Sequence, residues 1–391
     1  MINSITAPVN STKSPEVLAR GRVFFPNLDG LRFFAFLSVF LFHSFYTPYS
    51  AVSQSAVYKV FYNLTRPGHL GVNFFFVLSG FLITYLLLSE RALTGRIAIG
   101  AFYMRRILRI WPLYYLIVLL GFVIYPWAKV HFGQHGYHET AQVGYFLVFL
   151  SNFNNLYHGS ETPTLTLLWS VSVEEQFYVV WPLLVAIVPT RRLGWLFGGV
   201  IMLSLVFRAL HWNEPLVLGF HTLGLIGDMA LGGLTAWLCF RDERLTSAVA
   251  RLPRWAIVLT YMAGITLCYY TYSLSAVPGY SVIERLLLGL FFAFVLLEQN
   301  YAQHSVVKMT QLRFPTYWGT YTYGLYCLHY LALLLGIYLM TRLGLNTTPL
   351  GVILGDNLLG LAIALFVSWV SFTYYEKPFL KLKNRFAFIT K

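Results

Sequence analysis

The chain has 391 residues, of which 57% are hydrophobic, 18% aromatic and only 11% charged. Soluble domains carry about 25% charged residues, so this composition excludes an ordinary soluble domain and describes a polytopic membrane protein. The net charge of +13 does not mark a nucleic-acid surface, because the basic residues fall in short segments between apolar runs.

Residues 1–27 are polar and lack a short apolar run before a small-residue cleavage site, so they are expected to form a cytoplasmic segment rather than a cleaved leader. A membrane helix needs about 20 apolar residues. With that ruler ten spans are expected within 28–376, at 30–48, 71–89, 110–128, 165–189, 193–210, 215–239, 255–273, 281–298, 319–341 and 350–374. The fold class is therefore an all-α membrane bundle of about ten helices. A cytoplasmic N-terminus places 22 of the 28 lysines and arginines in cytoplasmic segments, including the basic tail 377–391, which puts both termini inside. The run "VGYFLVFLSNFNN" (143–155) is too short to span. It is expected to be a re-entrant or interfacial segment near 143–156 in an extracytoplasmic loop, and to border a cavity open to the outside. The three cysteines all lie in apolar runs without paired spacing, which implies neither disulfides nor a metal site.

In chain order, the first polar interruptions are Arg32 and His43 in "LRFFAFLSVFLFHSFY". Eleven residues apart, they share one helix face and are separated by about 16 Å along the axis. Arg32 then sits at the cytoplasmic mouth and His43 deep in the bilayer, where an ionisable group is costly. The alternatives are a snorkelling arginine and a histidine satisfied by a neighbouring helix. Asn73 and Ser79 add polar groups to the second span, and Gly80 permits close helix approach. In "AFYMRRILRIWPLYY", Arg105, Arg106 and Arg109 can share a helix face pairwise with Arg109. They either bind phosphate oxygens in bidentate fashion or simply anchor the cytoplasmic end.

The fourth span carries adjacent Glu174 and Glu175 beside Ser170, Ser172, Gln176 and Tyr178. Adjacent helical residues point about 100° apart, so the two carboxylates face different neighbours. His221, Asp228, Glu284, Arg285 and His329 complete the set. Glu284 and Arg285 sit near an outer helix end, where solvent would satisfy them, and His329 is expected to bond between helices.

Six blocks in order, "LDGLRFFAFLSVFLFHS", "GVNFFFVLSGFLITYLL", "FYMRRILRIWPLYYL", "LWSVSVEEQFYVVWP", "YTYGLYCLHYL" and "YYEKPF", give the chain a resemblance to the acyltransferase-3 family of integral membrane acyltransferases. That family acylates sugars of bacterial surface glycans and some secondary metabolites. Its arginine–ten residues–histidine motif falls on Arg32 and His43, its arginine-x-x-arginine motif on Arg106 and Arg109, and its span-four acid on Glu174. Glu175 is the more variable position, and His329 matches a recurring histidine. A hydrolase-like domain, appended in some members, is expected here only as a separate protein.

The resemblance implies a multi-pass protein of the bacterial cytoplasmic membrane. It implies a donor, acetyl-CoA or a longer acyl-CoA, and an extracytoplasmic glycan or lipid-linked sugar as acceptor, with neither metal nor nucleic acid involved. Arg32, Arg105, Arg106 and Arg109 would hold the donor's anionic end. His43 would act as general base, oriented by Glu174, with Asn73, Ser79, Glu175, Tyr178 and His329 in support. A transient acyl-enzyme on His43, Ser170 or Ser172 is the mechanistic alternative. A proton-coupled transporter or sugar flippase is the alternative function, although no internal repeat is evident.

Overall fold

The structure, a computed structural model, describes residues 25–47, 49–131 and 136–386. Most of the N-terminal segment and residues 387–391 of the basic tail lie outside the described residues. Ten long helices follow the expected spans: α1 Asn27–Ser44, α2 Gly71–Thr94, α3 Ile99–Leu119, α4 Pro163–Ile187 and α5 Leu193–Leu210. The second half comprises α6 Thr222–Arg241, α7 Arg254–Leu274, α8 Tyr280–Tyr301, α9 Thr322–Arg342 and α10 Asn357–Val370. Among the described residues, nine helices are long and apolar enough to cross a membrane. The tenth, α1, falls short of that set because its first turns carry Asn27, Asp29 and Arg32. α3 continues through a π-helical turn, Leu120–Ile124, into Tyr125–His131, and α10 is flanked by π-helical turns at Gly351–Asp356 and Ser371–Glu376.

Between membrane helices there is little hydrophobic drive to associate, so close packing and hydrogen bonds hold the bundle. One of the closest approaches is α2 against α6. A Cβ added at Gly80 would stand 1.9 Å from the Met229 carbonyl oxygen, and one at Gly232 would stand 2.0 Å from that of Val77. These glycines bring α2 into the centre of the bundle, where it lies beside α1 and α4. The polar start of α1 is tied down separately: Asn27 Nδ2 donates to the Gln299 carbonyl at 2.7 Å, and the Thr310 N–H donates to Asn27 Oδ1 at 2.9 Å.

The 143–155 run folds back into the bundle as two short helices, Val143–Leu147 and Ser151–Tyr157, with Phe146, Ser151, Asn152 and Asn154 buried. Its backbone polar groups are satisfied by side chains: Tyr114 donates to the Phe146 carbonyl at 2.9 Å and Gln176 to that of Phe149 at 2.8 Å. This is how non-helical backbone is tolerated at membrane depth. The loop before α4 is gathered on Glu139, which accepts from Tyr137, Ser160, Thr162 and the backbone N–H groups of Ala141 and Glu161. Partial burial pushes the Glu139 carboxyl up, but these hydrogen bonds outweigh it and hold it below the usual range.

Glu284 and Arg285 depart from the expectation of simple solvation. Arg285 pairs with Asp228 at 2.5 Å, and Arg208 lies 3.6 Å from Glu284 while donating to the carbonyls of Ser281 and Gly224. A charge buried at this depth needs partners, and three helices, α5, α6 and α8, supply them.

Candidate active site

Two cavities lie within the bundle, here called inner, on the side expected to be cytoplasmic, and outer. The inner one has a volume of about 210 Å³ and is lined by Arg32, Ser79, Arg106, Arg109, Glu174 and Tyr178 among apolar side chains of α1, α2, α4 and α9. Arg106 and Arg109 are three residues apart on α3 and so share the face that lines it. Arg105, one position earlier, is rotated away: it donates to Glu90 at 3.2 Å and to the Phe386 carbonyl at 2.7 Å. The expectation that Arg105 joins the cavity cluster is thus corrected, because the 100° step between adjacent residues takes it to Glu90 of α2 and to the C-terminal segment.

The arginines differ in how their charge is balanced. Arg32 pairs with Asp29 at 2.5 Å, Arg105 with Glu90, Arg208 with Glu284 and Arg285 with Asp228. Among the described residues, Arg106 and Arg109 have neither an ion pair nor a side-chain hydrogen bond. The Arg106 guanidinium lies 5.3 Å from the ring centroids of Phe102 and Tyr178, and its Nε is buried without a partner. The Glu174 carboxylate lines the same cavity, but neither arginine is directly paired with it, and two neighbouring cations held without a direct ion pair suit an anionic ligand.

The adjacent glutamates face different neighbours, as expected, but neither is hydrogen-bonded to His43. Glu174 lines the inner cavity and accepts from Ser79 at 2.9 Å and from Tyr178 at 2.8 Å. Glu175 turns to α3 and accepts from the Trp111 indole at 2.9 Å. The orienting role expected of Glu174 towards the histidine is therefore replaced. Helical spacing shows that two residues diverge, but it does not show which neighbouring helix each one meets.

The partner of His43 is His329. His43 Nδ1 lies 3.1 Å from His329 Nε2, and His329 Nδ1 lies 2.7 Å from the Tyr326 carbonyl oxygen. A carbonyl only accepts, so His329 Nδ1 carries the proton and, in the neutral ring, its Nε2 is an acceptor. His43 Nδ1 must then donate, which leaves the lone pair of His43 on Nε2. Phe36 and Phe40 pack edge-on or tilted against His329, and Tyr330 against His43, so the pair is enclosed by rings. His329 stands seven residues beyond Thr322, about 10 Å along α9 from its first residue. His43 lies in the last turn of α1, which ends at Ser44 rather than continuing to residue 48.

His43 lines the outer cavity, which has a volume of about 550 Å³ and also takes in His69, Asn73, Trp169, Trp212, Arg208, Glu284 and Arg285. Aromatic faces interspersed with amide and charged groups give this chamber both stacking surfaces and hydrogen-bonding partners. His69, Trp169 and Trp212 went unnoticed in the sequence because each reads as an ordinary helix-end or belt residue. His221 lies elsewhere, at the start of α6, where its Nδ1 accepts from the Leu223 N–H at 3.2 Å. Of the two serines, Ser170 lines the inner cavity, whereas Ser172 is buried against Ser151 of the re-entrant segment at 2.7 Å. No group of three or more metal-ligating side chains occurs among the described residues.

Comparison with known proteins agrees with the motifs. Residues 25–376 match the family described as "Acyltransferase domain". The chain is 25% identical over 386 residues to "Peptidoglycan O-acetyltransferase OatA" of Listeria monocytogenes, a match covering 92% of this chain and 56% of that protein. It is 32% identical over 172 residues to "Putative peptidoglycan O-acetyltransferase YrhL" of Bacillus subtilis, covering 42% and 24% of the two chains. It is also 30% identical over 201 residues to "Putative O-acetyltransferase SACOL0978" of Staphylococcus aureus, covering 46% and 29%. The matches therefore take in between about a quarter and just over half of the length of these relatives. No solved structure matches the chain. Over residues 25–376, from just before α1 to the end of the π-helical turn that follows α10, the chain belongs to this acyltransferase family.

Proposed function

We propose that the chain is a membrane O-acyltransferase that takes an acyl group, most simply acetyl, from cytoplasmic acyl-CoA and delivers it to a hydroxyl of an extracytoplasmic sugar or glycan. The observation that carries this reading is the pairing of two cavities. The inner one holds two arginines without a direct ion-pair partner, and the outer one presents the lone pair of His43. Family membership favours it over a transporter, and the O-acetyltransferase names of the relatives point to the same acceptor chemistry.

In this reading Arg106 and Arg109 hold the anionic nucleotide end of the donor, with Arg32 beside them. The acceptor lies in the outer chamber with its hydroxyl against His43 Nε2. As the acceptor oxygen bonds to the thioester carbonyl carbon, its proton passes to His43 Nε2 and the carbon–sulfur bond breaks. The proton on the imidazolium is then returned to the departing thiolate, so that ester and free CoA thiol result. During the step His329 keeps its Nε2 towards the developing cation, the part played by the carboxylate in an acid–histidine pair. The acceptor is an exported polysaccharide, of which peptidoglycan is the version suggested by the relatives' names, and the chain resides in the bacterial cytoplasmic membrane.

The donor half of the reading is tested by equilibrium binding of acetyl-CoA to purified chain. Arg106→Ala and Arg109→Ala should each weaken binding by about tenfold or more, the value of a charge-assisted contact. They should also flatten the decline in affinity with added salt. Wild-type affinity in both variants would return these arginines to the role of topological anchors.

A further inference from the structure

The inner and outer cavities share two lining residues, Val72 and Tyr326. Val72 is the second residue of α2 and Tyr326 the fifth of α9, and both are 8% exposed. The Tyr326 hydroxyl lies 2.6 Å from Ser170 Oγ on α4, so a hydrogen bond between α4 and α9 holds the ring in place. Phe75 backs it edge-on with ring centroids 6.1 Å apart. The same residue's carbonyl accepts from His329 and thereby sets the tautomer of His43. The partition and the histidine that pairs with His43 are thus built on one turn of α9.

We propose that Val72 and Tyr326 form the aperture between the donor and acceptor chambers, and that its width selects the acyl group by length. The inference rests on the donor and acceptor sites proposed above. With the donor's charged end at Arg106 and Arg109 and the base on the far side of the partition, the acyl carbon must reach the plane of Val72 and Tyr326 to meet the acceptor. Each methylene beyond acetyl then has to fit between a β-branched side chain and a phenol ring locked by Ser170. One methylene in such a fit discriminates by about 10–200-fold. The selection acts on transfer rather than on binding, because the anionic end that anchors the donor lies at the other end of the inner cavity.

The test uses the full chain in nanodiscs with acetyl-, propionyl- and butyryl-CoA as probes. Equilibrium binding and acceptor-dependent release of CoA thiol are measured for each. The unaltered chain should bind all three donors with similar affinity but turn them over in steeply falling order. Val72→Ala should raise butyryl turnover relative to acetyl by about tenfold, with little change in the binding of any donor. Tyr326→Phe keeps the ring and removes the bond to Ser170, and should raise the same ratio by a few-fold, the worth of about one hydrogen bond. Val72→Leu should lower acetyl transfer without loss of binding. A length profile unchanged in Val72→Ala and Tyr326→Phe, with donors still bound, would overturn the aperture while leaving the donor site standing. Failure of the unaltered chain to bind any donor would overturn the donor site itself, and the aperture with it.

Discussion

Replacing His43 by alanine is expected to lower the rate of acyl transfer by about 10²–10⁴-fold, the contribution typical of a positioned general base. Acetyl-CoA binding should be untouched, since His43 lines the outer cavity and Arg106 and Arg109 line the inner one. The measurement is single-turnover release of CoA thiol in the presence of acceptor, alongside equilibrium donor binding. A His43→Ala variant that transfers at the wild-type rate would remove the base from the mechanism. A variant that loses donor binding would mean that the two cavities do not divide the work as proposed.

The second large effect concerns His329. Its Nε2 is the acceptor that holds the Nδ1 proton of His43 and so leaves the His43 Nε2 lone pair for the acceptor hydroxyl. His329→Leu fills similar space without an acceptor, and should cost about 10–100-fold in kcat, the worth of a hydrogen bond to the imidazolium that forms. The donor KM should not move. His329→Gln restores an acceptor at nearly the same reach and should recover most of the loss. If histidine, leucine and glutamine at this position gave equal kcat, the hydrogen bond between the imidazoles would be packing alone. If leucine and glutamine were equally impaired, the tautomer argument would fail while a structural role remained.

Much of this architecture is legible in the residues themselves. Ten apolar runs of membrane length give most of the helices to within a few residues, although α3 begins at Ile99, well before the run expected at 110–128. The 11-residue spacing of Arg32 and His43 puts them near opposite ends of one helix, where they line different cavities. Even the re-entrant segment follows from a run too short to span and too apolar for an open loop.

What escapes the sequence is the choice of neighbour. Glu174 and His43 each look like half of an acid–histidine pair, yet α4 turns Glu174 towards Ser79 and Tyr178. His43 instead meets a residue 286 positions away. Helical periodicity fixes directions within a helix and is silent on the rotation of one helix against another. Arg105 illustrates the same limit on a smaller scale, since a single residue step moves it from the donor cavity to Glu90. The outer chamber was hidden for a different reason. Its lining comes from helix ends and connecting segments, including His69, Trp212 and Asn213, that converge only once the bundle is assembled.

The central claim is that an acyl group passes from a cytoplasmic chamber to an extracytoplasmic one through the partition between them. Its most direct test is sided transfer in proteoliposomes of uniform orientation. Acyl-labelled acetyl-CoA is enclosed on the cytoplasmic side, and soluble peptidoglycan fragments are supplied only on the opposite side. The account predicts labelled fragments outside and CoA thiol inside, appearing together and abolished in His43→Ala. Transfer that occurs only when donor and acceptor share one side of the membrane would contradict it.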